Sequence, residues 1–101
     1  MIACHIRYEI VPAKVPEFEH YAKLWMALVH KFGGTHLGYF LPSEGASNIA
    51  LATFLFDSLA SYEAYRTASF ADQECAEAFA FAEETGCIVR YERSFFRPLT
   101  V

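Results

Sequence analysis

From Ile2 to Val11 the chain alternates, with Ile2, Cys4, Ile6, Tyr8 and Ile10 on one side and Ala3, His5, Arg7, Glu9 and Val11 on the other. A period of two predicts a first strand with one apolar face and one mixed face. Pro12 and Pro16 bracket a turn, and the period then changes. Phe18, Tyr21, Ala22, Trp25, Leu28, Val29 and Phe32 recur at three- and four-residue spacing up to Gly33, which predicts a long amphipathic helix. Pro16 suits its first turn, where no N–H is needed, and Glu17 and Glu19 suit its positive end.

Thr35 to Leu41 reads as a second strand, Pro42 to Asn48 as a polar turn, and Ile49 to Phe56 as a third strand, together a long hairpin. The third strand is apolar on both sides, Ile49, Leu51 and Leu55 around Thr53 against Ala50, Ala52, Phe54 and Phe56, as for a strand covered on both faces. Asp57 or Ser58 then caps a short helix through Arg66, with Leu59, Tyr62, Tyr65 and Arg66 along one stripe. Ser69 followed by Asp72 resembles a capping box opening another helix, with Cys75, Ala76, Phe79 and Ala82 inward and Gly86 as its stop. Cys87 to Arg97 reads as the last strand, ended by Pro98.

The order β-α-β-β-α-α-β is the ferredoxin-like split βαβ pattern of the α+β class. With right-handed crossovers it gives a four-stranded antiparallel sheet, order 4-1-3-2, with all helices on one face. That leaves the second face of the apolar third strand without cover. Two copies packed sheet to sheet would supply it and would enclose a barrel-like interior, so a homodimer through the sheet face is expected.

Composition strengthens this expectation. The 101 residues suffice for one domain, 1–101, and 54% are hydrophobic and 17% aromatic, more apolar surface than a small monomer readily hides. A formal charge of -4 without any cluster of Lys or Arg argues against nucleic acid and against an anionic membrane as partner. Cys4, Cys75 and Cys87 are odd in number, widely spaced and in apolar settings, which suits reduced thiols. The first residues lack the basic and apolar regions of a signal peptide, and a soluble cytoplasmic protein is expected.

The junction Gly33-Gly34-Thr35-His36-Leu37-Gly38-Tyr39-Phe40 gathers the most unusual side chains. Gly33 or Gly34 can end the helix in a left-handed conformation, and Gly38 inside a strand marks a bulge or a close approach. His36 is a candidate general base beside the space at Gly38, or else a histidine satisfied within the core. Tyr39 points away from His36 on a regular strand, so the two share a pocket only if Gly38 makes a bulge. Tyr62 and Arg66 lie on one helix; Arg66 can clamp a carboxylate or phosphate in two-pronged fashion, or tie the helix end to its neighbours. His36, Tyr39, Tyr62 and Arg66 are thus the candidate ligand-binding residues, with His36 the candidate catalytic one. His5, Arg7 and Glu9, beside Arg90 and Glu92 if the last strand is their neighbour, serve either a ligand within the dimer or its register. No metal-ligand spacing, phosphate loop or nucleophile motif occurs, and no cofactor is called for.

Several segments together resemble the NIPSNAP family: Tyr8-Glu9-Ile10, the helix around Trp25, the glycine junction, the run from Phe56-Asp57-Ser58-Leu59 to Tyr65-Arg66, and Tyr91-Glu92-Arg93-Ser94. The run from Phe56 is the most specific of these. The resemblance covers nearly the whole chain and implies the dimeric α/β-barrel superfamily. It implies no particular reaction, since that superfamily mixes small monooxygenases, haem-binding enzymes, isomerases and proteins without known activity. A small-molecule-binding homodimer is the leading expectation. The alternatives are a cofactor-independent monooxygenase or isomerase, with its substrate among Trp25, Tyr39, Phe54 and Tyr62, and a structural or interaction module without a ligand.

Overall fold

The computed structural model describes residues 1–100. Four strands, β1 (Ile2–Ile10), β2 (Thr35–Phe40), β3 (Ile49–Phe56) and β4 (Ile88–Phe96), alternate with three helices, α1 (Val15–Lys31), α2 (Leu59–Phe70) and α3 (Gln73–Thr85). The strands form one antiparallel sheet in the order β2-β3-β1-β4, the expected order, and the sheet is open, not closed into a barrel. The molecule is a slab of 36 × 36 × 18 Å, the thickness of one sheet and one layer of helices.

Alternation along β1 places Cys4, Ile6, Tyr8 and Ile10 under the helices, paired or neighboured on β3 by Ala50, Ala52, Phe54 and Phe56. These residues are buried, together with the α1 stripe Phe18, Tyr21, Ala22, Trp25, Leu28 and Val29, as the helical period requires. Small alanines at the centre of β3 let α1 approach the sheet, and aromatic rings fill the space around it. Gly34 makes that approach possible at the helix exit. A Cβ there would lie 2.6 Å from Val29 Cγ1 and 2.8 Å from Phe56 Cζ, so no side chain fits. Gly33, at φ 89°, takes the left-handed turn.

The helices are tied at both ends of an antiparallel α1–α3 pair. Lys31 Nζ donates to Asp72 Oδ1 at 2.8 Å and to Glu74 Oε1 at 3.0 Å, while Lys14 Nζ donates to the Thr85 carbonyl at the far end. Asp72 also caps α3 by accepting from the Cys75 N–H at 3.0 Å, so the residue that starts the helix also anchors it to α1.

Three details differ from the sequence expectation. Ser69 does not cap α3; α2 runs on to Phe70 because Thr67 and Ala68 carry no stop signal, and the buried Ser69 hydroxyl donates to the Arg66 carbonyl instead. Ser58 is the cap of α2, accepting from the Ser61 N–H at 3.1 Å, and Leu59 stands exposed in the first turn while Tyr62, Tyr65 and Ser69 face inward. On α3 Cys75 and Ala78 are buried, and Phe79 and Ala82 pack against the core as expected, but Ala76 is exposed, because the cap at Asp72 sets the helical phase.

Among the described residues no helix or strand covers the far face of the sheet. On its β3 and β2 side lie Leu51, Thr53 and Leu55 with the exposed Phe40, and on its β1 and β4 side a charged lattice. There Glu9 pairs in register with Arg90 and Arg7 with Glu92; Arg90 reaches Glu92 Oε1 at 2.7 Å and Glu9 Oε2 at 4.0 Å. His5 Nδ1 and Thr53 Oγ1 are 3.0 Å apart across the β1–β3 pair. Among the described residues no helix is long and apolar enough to cross a membrane.

Candidate functional site

The side chains with chemistry lie on the helix-facing side of the sheet. On β4 the register Tyr8↔Tyr91, Ile6↔Arg93 and Cys4↔Phe95 puts an arginine between two aromatic rings on the face that is otherwise core. A bulge sets this phase: Ile10 pairs with Ile88 and Glu9 with Arg90, so Val89 is an extra residue and shifts every later side chain to the other face.

Arg93 is half-buried and its Nε has no hydrogen-bond partner among the described residues. The guanidinium lies 5.2 Å from the Tyr91 ring centroid. Arg66, on the inward side of α2, faces the same space with its guanidinium 4.9 Å from the ring of Phe70. Between the α2–α3 hairpin and the β1–β4 edge lies an open cleft of about 490 Å³. Tyr8, Tyr91 and Arg93 form its floor, Tyr21 its back, and Arg66 and Phe79 its roof. It narrows into an inner slot of about 30 Å³ that touches Trp25, Tyr39, Phe54, Tyr62 and Tyr65, room for water only. The Trp25 Nε1–H in that region has no partner.

The charge pattern here is one-sided. The ion pairs of the chain lie elsewhere, and among the described residues no carboxylate lies within 4.0 Å of Arg66 or Arg93. Burial pushes the phenols of Tyr8, Tyr39, Tyr62 and Tyr65 up and that of Tyr21 to about 12, so all are neutral at pH 7. Burial likewise raises the Cys4 thiol to about 11 although Arg93 draws it down, so it is no nucleophile. Burial disfavours the Arg93 charge, and the surrounding phenols and thiol raise it in net once they ionise, which they do not do near neutrality. Two guanidinium groups therefore meet a lining of neutral aromatic and hydroxyl groups, with Glu83 at the cleft as its acidic member.

A family profile for NIPSNAP matches residues 5–101. The chain belongs to the NIPSNAP family. No curated protein matches it. Among solved structures, this NIPSNAP chain is similar to a protein of Agrobacterium tumefaciens, at 18% identity and TM-score 0.85 over 98% of this chain and 94% of that one. An uncharacterised NIPSNAP domain protein of Burkholderia xenovorans is 21% identical, with TM-score 0.79 over 98% and 95%. A putative antibiotic biosynthesis monooxygenase of Nitrosomonas europaea has the same fold at 7% identity, with TM-score 0.75 over 99% and 100%.

Of the four residues singled out from the sequence, the NIPSNAP chain brings Tyr39, Tyr62 and Arg66 together around the inner slot. His36 stands apart, outside the lining of both the slot and the cleft. The bulge that would let His36 and Tyr39 share a face does form: His36 pairs with Phe54 and Tyr39 with Ala52, leaving Leu37 and Gly38 opposite Thr53. Gly38 takes φ 133° and donates its N–H to His36 Nδ1 at 2.8 Å, fixing the proton of the neutral ring on Nε2. The two rings stack at 5.0 Å and 21°, with His36 behind Tyr39 as seen from the slot. Burial lowers the His36 pKa from its usual 6.5, and Nε2 has no partner. Sequence reasoning passed over Arg93. Its signal was the spacing Tyr91-x-Arg93-x-Phe95, an arginine in the middle of an aromatic face, concealed by the extra residue at Val89.

Proposed function

We propose that this NIPSNAP chain is a small-molecule-binding protein that works as a homodimer joined through its open sheet face. The observation that carries the binding reading is Arg93, a half-buried guanidinium without a counter-ion among the described residues, on the floor of a cleft of about 490 Å³. A charge held out of water and unpaired costs folding stability, so its natural complement is a ligand. A cleft of that size suits a small molecule. The second copy is supported by the apolar Leu51 and Leu55 in a face with nothing over it, and by Arg7, Glu9, Arg90 and Glu92, whose balanced charges are self-complementary across a two-fold axis.

The monooxygenase or isomerase alternative needs a proton-transfer group in the cleft. His36 is screened from it by Tyr39, and burial holds the Tyr8, Tyr21 and Tyr39 phenols and the Cys4 thiol protonated, so such chemistry would fall to Glu83 at the cleft. The test is thermal denaturation against a panel of small metabolites, with light scattering for mass. A ligand that raises Tm for the native protein and not for Arg93→Met supports the reading, as does a dimer that Leu51→Asp converts to a monomer. A native monomer at micromolar concentration contradicts the dimer, and stabilisation unaffected by the Arg93 replacement contradicts the site.

A further inference from the structure

The cleft reading leaves the ligand's chemistry open, and the arrangement of its lining narrows it. We infer that the cleft takes a flat aromatic carboxylate, its carboxyl group held by Arg93 and Arg66 and its ring system lying among Tyr8, Tyr21, Phe79 and Tyr91; this rests on the binding reading above. The first support is convergence: Arg93 from the sheet and Arg66 from α2 both line the cleft and the inner slot it narrows into. Two planar forks from opposite walls suit one planar oxyanion, and neither arginine has a carboxylate partner of its own among the described residues.

The second support is the shape and chemistry of the rest of the space. The inner slot, at about 30 Å³, admits no ligand body, so only the outer cleft can hold one, with the anionic end towards Arg93 at the slot's mouth. The walls available to the body include aromatic rings beside Ala82, Glu83 and Ile88: Tyr8 sits 6.1 Å from Tyr91, and Phe79 stacks on Phe70 at 6.0 Å and 19°. Such walls bind a one- or two-ring system by stacking. Phe70, largely exposed over Arg66, is placed to cover the bound ring.

The experiment is a titration of the isotopically labelled protein followed by amide and arginine side-chain NMR, with 2-naphthoate, 2-naphthalenemethanol and inorganic phosphate as probes. The expected result is naphthoate binding at least tenfold tighter than the alcohol, with shifts at the Arg93 Nε and around Tyr91 and Phe79. In Arg93→Gln that preference disappears while the amide spectrum stays that of the native fold, and Arg93→Lys restores part of it. Equal binding of alcohol and acid overturns the anion inference and leaves the cleft reading standing. Phosphate competing as well as naphthoate overturns the aromatic part. Shifts from none of the probes at millimolar concentration overturn both.

Discussion

Replacing Arg93 by methionine separates a binding residue from a structural one by the sign of its effect on stability. Methionine keeps an unbranched stem of similar length, so packing against the floor of the cleft is largely retained. The variant loses the contact of the guanidinium with the Tyr91 ring at 5.2 Å, worth about 0.5–1 kcal/mol. It also removes a buried Nε–H that has no partner, a group whose burial costs about 1–3 kcal/mol. The second quantity equals or exceeds the first, so the ligand-free variant is expected to be as stable as the native protein or up to about 2.5 kcal/mol more stable. For a domain of this size that corresponds to a Tm unchanged or raised by as much as ~10 °C. The assay is circular dichroism melting at pH 7 of both proteins, refolded from denaturant so that no co-purified ligand remains. If Arg93 were half of a structural ion pair, its loss would strand a partner and cost about 3–5 kcal/mol. A fall in Tm of more than ~10 °C would therefore refute the reasoning.

Other predictions concern the frame that holds the cleft. Gly34→Ala forces a Cβ to within 2.6 Å of Val29 and 2.8 Å of Phe56, and overpacking of this kind costs about 1–3 kcal/mol; denaturant unfolding should show that loss, and an unchanged midpoint would mean that α1 can move away from the sheet freely. Because burial depresses the His36 pKa in the fold, the unfolded chain binds more protons just below pH 6.5. The His36 contribution is therefore complete above that pH and lost as pH falls through the folded value, so Tm should drop less on acidification in His36→Gln than in the native protein. Asp72→Ala removes the cap on α3 and the partner of Lys31 together, and should destabilise more than Ser69→Ala in paired melts. The Asp72 carboxyl is held below its usual range by Lys31 and then by the Cys75 N–H, so its contribution is present above the normal carboxylate pKa and fades as acid protonates it in the folded state.

The fold was legible because its elements are written in clean periods. Alternation in β1, the three-and-four spacing from Phe18 to Val29 and the double-sided apolar run of β3 each specify an element, and the order of elements with right-handed crossovers then leaves one sheet order. Errors gathered where local signals compete. Ser69 and Asp72 are both acceptable caps, and the choice fell to the carboxylate that Lys31 also holds, a contact from a helix 41 residues away. The candidate site was legible only in part. Tyr39, Tyr62 and Arg66, singled out from the sequence, line one slot, whereas Arg93 depended on a bulge at Val89 that gives no glycine signal, so the face of every residue from Arg90 onwards was ambiguous by one position. At Gly38 the glycine did announce the bulge, and the sharing of one face by His36 and Tyr39 followed as a condition stated in advance.

Native mass spectrometry of the protein freshly purified from its host tests the central claim most directly, because one spectrum reads both stoichiometry and bound mass. The account predicts a dimer carrying a small additional mass that disappears on denaturation and is absent from Arg93→Met. A monomer at the bare polypeptide mass, with the variant indistinguishable from the native protein, would contradict it.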